Sequence, residues 1–155
     1  MAGRVREHSH GMDWVVLLSF GVFIAIVGVI WALTPNLTDE IIRFFKDFHL
    51  QNVTENVVFP TPGNAYAHKV VYKATMQFCF VFGAFEIVVL ALRFVFHESR
   101  DRKAYAVSGI AFWLSVGFFL TLLIDESISW FSFVSGMIIS VGLAIVVTSL
   151  VKLPK

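Results

Sequence analysis

Cysteine is almost missing from this chain. Its single copy, Cys79, excludes an intrachain disulfide and any outer loop braced by cysteine pairs. Charge is scarce as well. Charged residues make up 15 % and the formal net charge is +1, so there is no basic field to attract nucleic acid. No phosphate-binding glycine loop, HExxH or GxSxG pattern occurs. No nucleophile has an evident base beside it, which argues against an enzyme, including one acting on lipid. His8 and His10 form a poor two-ligand pair in a tail and read as surface histidines. Neither a metal nor a cofactor is expected.

Apolar length is what the chain has in abundance. Of its 155 residues 57 % are hydrophobic, 17 of them phenylalanine, and the mean hydropathy is +0.78. Soluble domains hold roughly 45–50 % apolar residues. Four runs, at about 14–34, 70–96, 104–124 and 128–151, match the roughly 20 residues a helix needs to cross a hydrocarbon core. They lack the alternation of barrel strands, and a water-free interior leaves helices as the remaining option. The expected fold is therefore all-α: one transmembrane domain over residues 1–155 with four spans. The first run exceeds the roughly 7–15-residue core of a signal peptide, so it is expected to stay as a span. Met12 is an alternative start, which would leave residues 1–11 outside the native chain.

Lys and Arg concentrate at one side of these spans. Arg4 and Arg6 precede the first, Arg93, Arg100, Arg102 and Lys103 surround the turn after the second, and Lys152 and Lys155 end the chain. The turn between the last two spans carries Asp125 and Glu126 and no cation. The positive-inside rule then puts both termini in the cytoplasm.

The external loop, 36–68, holds one more helical pattern. Ile41, Phe44, Phe45 and Phe48 recur at i, i+3, i+4 and i+7, opposite Glu40, Arg43, Lys46 and Asp47. The pattern predicts an amphipathic helix over about 38–50 with Thr38 as N-cap. Such a helix either lies in the membrane interface or caps its own bundle. The stretch from Phe59 to Gly63 contains two prolines and predicts an irregular turn. Asn36-Leu37-Thr38 and Asn52-Val53-Thr54 match the glycosylation sequon on the expected outer side.

Glu86 is the one acid inside a span. An ionised carboxylate near the bilayer centre costs about 2.5–3.5 kcal/mol on insertion scales, so it must be neutral, partnered or in contact with water. At 100° per residue His68, Tyr72, Thr75, Cys79 and Arg93 fall within about 40° of it, forming a polar-leaning stripe. Arg93 is about 10.5 Å away by helical rise, too far for an intrahelical ion pair. Trp113, Ser115 and Ser140 lie at matching depth on other spans as candidate donors. In lipid or core surroundings and far from an obvious base, Cys79 reads as an inert apolar residue.

The fourth span carries a ridge of small residues, Ser132, Gly136, Ser140, Ala144 and Thr148, at four-residue spacing. Such ridges let helices approach closely, within a chain or between subunits. Together these features point to a non-enzymatic, oligomer-forming membrane protein, a structural or accessory subunit whose partners are the bilayer and further copies or other membrane subunits. The alternative is a self-contained proton or cation channel or transporter working through Glu86.

Overall fold

A computed structural model describes residues 14–54 and 57–153. The tail with Arg4, Arg6, His8, His10 and Met12, and the terminal Lys155, lie outside the described residues, as do the side chains of Val53 and Thr54 in the second sequon. The chain is mostly helical. It runs α1 (Trp14–Leu33), α2 (Leu37–Lys46), β1 (Phe48–Thr54), β2 (Val57–Pro62), a short 3-10 turn (Ala65–His68), α3 (Lys69–Val95), α4 (Arg100–Ile124) and α5 (Trp130–Lys152). Four of these helices, α1, α3 with its leading turn, α4 and α5, are long and apolar enough to cross a membrane.

Each long helix begins and ends for a local reason. Pro35 follows α1 and cannot continue it. The end of α3 closes with His97 in the left-handed region (φ 52°). There the Glu98 N–H donates to Arg93 O at 3.0 Å and the His97 N–H to Phe94 O at 3.2 Å. Helix α4 ends the same way, with Glu126 at φ 59° and the Ser127 N–H donating to Leu122 O at 2.9 Å. Both are Schellman closures, which satisfy carbonyls a helix end would otherwise leave free. Ser129 caps α5, its side chain accepting from the Ser132 N–H at 3.2 Å.

The tightest interfaces are α3 on α4 and α4 on α5, while α1 is held more loosely against α3. The core lies between α3, α4 and the start of α5, where Tyr72, Cys79, Val116, Leu120, Leu123 and Phe133 pack together. Small residues let helix backbones approach closely, and α5 supplies them. Gly136 and Ser140 are buried, and the Ser108 hydroxyl of α4 donates to Ala144 O at 3.0 Å. The central part of the small-residue ridge is thus occupied by α4 of the same chain. Thr148 at its C-terminal end is half-buried, and Ser132 at its N-terminal end is exposed.

The loop between α1 and α3 departs from the expected helix over 38–50. Helix α2 starts at Leu37 after Asn36, not after a Thr38 cap, and stops at Lys46. The next residues pair instead as an antiparallel hairpin, with Phe48 opposite Pro62 and Leu50 opposite Pro60. Where an irregular turn was expected there is a strand, and the register explains how it tolerates two prolines. The Gly63 N–H donates to Asp47 O at 3.0 Å, so Asp47 and Gly63 form a hydrogen-bonded pair. Counting along the ladder, Pro60 and Pro62 then take the alternate positions, whose nitrogens face away from β1.

Candidate functional site

Polar side chains gather in two places, one at each end of the helices. At the loop end the centre is Asp47, directly after α2. Its Oδ2 accepts the Asn64 N–H at 3.0 Å and lies 2.9 Å from His68 Nε2. Its carbonyl holds the hairpin through Gly63 and lies 3.2 Å from His49 Nδ1. One residue thereby ties the helix end, the hairpin base and the 3-10 turn together. The Asn64 N–H and then the His68 ring hold the Asp47 carboxyl below its ordinary value of 3.8, because both favour the charged form.

Aromatic packing seats this knot on the long helices. Phe44 of α2 meets Phe48, His68, Tyr72 and Trp130 edge-on, with ring centres 5.0 to 5.9 Å apart. Trp130 donates from Nε1 to Pro60 O at 3.2 Å and stacks on Tyr72. Lys69 of α3 pairs with Glu126 at 2.6 Å. Of the expected apolar face, Ile41, Phe44 and Phe48 are half-buried and Phe45 is exposed. Phe48 has moved from the helix into β1, yet its ring keeps its place against Phe44.

At the other end Glu86 faces a cleft of about 220 Å³ lined by Val16 and Ser19 of α1, Arg93 of α3, and Tyr105 and Ala106 of α4. Its carboxyl group rests against Gly109 of α4, where an added Cβ would stand 3.5 Å from Cδ. Among the described residues no side chain or backbone group donates a hydrogen bond to Glu86. The donors expected from depth do not reach it. Trp113 is packed edge-on against Phe78 and Phe82, and the Ser140 hydroxyl donates to Gly136 O on its own helix at 2.9 Å. Arg93 shares the cleft but turns its Nη1 to Glu98 Oε2 at 3.3 Å and Arg102 O at 3.1 Å.

The polar stripe on α3 does not form one groove. His68, Tyr72 and Cys79 are buried, His68 in the loop cluster and the other two in the core. Thr75 lines a separate apolar crevice with Trp31 and Ile41, its hydroxyl donating to Val71 O at 2.9 Å. Glu86 and Arg93 share a cavity. Between them and Tyr72 lies an aromatic layer of Phe23, Phe78, Phe82 and Trp113, with centres 5.2 to 5.8 Å apart. Sequence reading missed Asp47 as an organising residue. The signal was two histidines and an acid in one loop, but its partners lie 17 and 21 residues away.

Comparison with known protein families, with curated proteins and with solved structures finds no match for this chain.

Proposed function

We propose that this chain is an integral membrane protein with a non-enzymatic role, a structural or accessory subunit that assembles with further copies or with other membrane proteins. The observation that carries the proposal is Glu86. It is half-buried at membrane depth, lacks a donor among the described residues, and lies in a cleft beside α1, the most loosely held of the long helices. A carboxyl group in that position is costly unless it finds a partner, and a hydroxyl, amide or cation from a second chain meets that need. Only 6 % of the most apolar stretch of α1 is buried, against 22 % for α3 and α4, which leaves that side open to a neighbour. In this reading Ile42 and Phe45, exposed on α2, rest in the membrane interface. The end bearing Arg93, Arg100, Arg102, Lys103 and Lys152 is cytoplasmic, as the positive-inside rule favours.

The second reading, a proton or cation pathway through Glu86, draws on the same cleft, where Ser19 and Tyr105 add hydroxyls. The aromatic layer weighs against it, because a path needs polar stations on both sides of the acid.

Native mass measurement after extraction in mild detergent tests the proposal. An assembly larger than one chain is expected, and Glu86→Ala should shift it toward monomer. A monomer in mild detergent and in native membranes overturns it. In liposomes, protein-dependent proton or cation flux abolished by Glu86→Gln would establish the second reading instead. Orientation is read by labelling Lys103→Cys with a membrane-impermeant maleimide; protection in intact cells is expected, and buried Cys79 gives a quiet background.

A further inference from the structure

The end of the molecule around the α3–α4 turn carries charge that the described residues do not neutralise. Glu98 is taken by Arg93 at 3.3 Å and by Arg102 at 3.6 Å. Asp101 is taken by Lys152 at 3.3 Å, whose ammonium also donates to the Tyr105 hydroxyl. Arg100 and Lys103 have no carboxylate within ion-pair distance among the described residues. Lys103 instead holds its ammonium 4.4 Å from the centre of the Phe94 ring.

These two cations border one open cleft of about 630 Å³, and the rest of its wall is apolar: Phe94, Val107, Leu150 and Val151 among them. Leu150 is 61 % exposed and Val151 37 %, so the wall is an uncovered surface running from the charged rim down α4 and α5. Two cations with no carboxylate partner among the described residues, above an apolar wall, complement a molecule with an anionic head and a hydrocarbon tail. Arginine binds phosphate through paired N–H groups and lysine as a point charge. Basic pockets between spans on the cytoplasmic side take anionic lipid headgroups for this reason.

We infer that this cleft is a binding site for an anionic phospholipid, its phosphate held by Arg100 and Lys103 and an acyl chain laid along Val107, Leu150 and Val151. A free phosphate satisfies the rim and leaves the wall bare, so the apolar wall favours the lipid. The inference rests on the membrane placement proposed above and is independent of the subunit role.

Native mass spectrometry of the full chain in mild detergent, with equal amounts of phosphatidylglycerol and phosphatidylcholine added, reads the site directly. The wild type is expected to retain phosphatidylglycerol roughly tenfold over phosphatidylcholine, in line with the attraction that basic residues near a bilayer surface provide. The Arg100→Gln/Lys103→Gln pair should abolish the preference, whereas the charge-preserving Arg100→Lys/Lys103→Arg pair and Lys69→Gln/Lys73→Gln at the other end should keep it. Equal retention of both lipids by the wild type, or undiminished preference in the Gln pair, overturns the assignment. So does displacement of the lipid by millimolar inorganic phosphate, which would mark a site for the headgroup alone. Alkaline extraction of membranes separates the two levels of the argument. Release of the chain sinks the membrane placement, while a retained chain without lipid preference sinks only the lipid site.

Discussion

Gly136 of α5 lies directly under the ring of Phe119 of α4, so close that a methyl group added to the glycine would stand 2.5 Å from the ring. No side chain larger than hydrogen fits without moving Phe119. Gly136→Ala is therefore expected to destabilise the α4–α5 pair by roughly 1–3 kcal/mol, the usual penalty for overpacking, despite alanine's better helix propensity. Gly142 lies on the same helix with nothing within 4 Å of its added Cβ. Gly142→Ala should be neutral or stabilising by up to about 1 kcal/mol. Thermal unfolding of both variants in one detergent checks the contrast, and equal effects would contradict the packing described for the ridge.

The Tyr72 hydroxyl is buried between α3 and the loop cluster with no hydrogen-bond partner among the described residues, although its ring is well packed against Phe44 and Trp130. Removing an unpaired buried polar group while keeping the ring relieves a desolvation cost of about 1–3 kcal/mol. Tyr72→Phe should therefore leave the melting temperature unchanged or raise it. A clear loss of stability would mean that the hydroxyl has a partner after all.

His97 closes α3 with φ 52°, a conformation that costs an L residue about 1–2 kcal/mol and glycine very little. Its side chain makes no ion pair or hydrogen bond among the described residues. His97→Gly should stabilise the chain by up to about 1 kcal/mol, read by the same unfolding experiment. A destabilised His97→Gly would show that the imidazole contributes to the turn.

The four long apolar helices were legible because apolar length and the lack of interior proline are local properties. Their observed bounds differ from the expected ones mainly at α4, where the helix already begins at Arg100 after an extended Ser99. The hairpin was not legible. Pro60 and Pro62 read as breakers, and only the ladder fixed by Asp47 and Gly63 shows that their nitrogens face outward. The α5 ridge announced a close approach without saying to what; Phe119 and Ser108 supply the answer from another helix. The α3 stripe is real as periodicity, but each member meets a different neighbour, because α1, α2 and α4 cover different lengths of the helix. Glu86 kept its prominence and lost its expected donors.

Asp47 gives the loop its pH dependence. The Asn64 N–H and the His68 ring keep its carboxyl below the ordinary value of 3.8, so the folded state prefers the charged form more than the unfolded chain does. A group depressed in this way contributes stability that is present above its unfolded value and is lost as pH falls through the folded one. The loop is therefore expected to loosen at acid pH, beginning below about the usual carboxylate range, while the long helices persist. Hydrogen exchange at the backbone amides of Asn64 and Gly63 reports it, because both donate to Asp47. Their protection should fall on acidification, ahead of amides in α3 and α4. Asp47→Asn removes the titrating group and should give weaker protection at neutral pH with little further change in acid. Protection that follows the wild-type acid profile in Asp47→Asn would place the sensitivity on another residue.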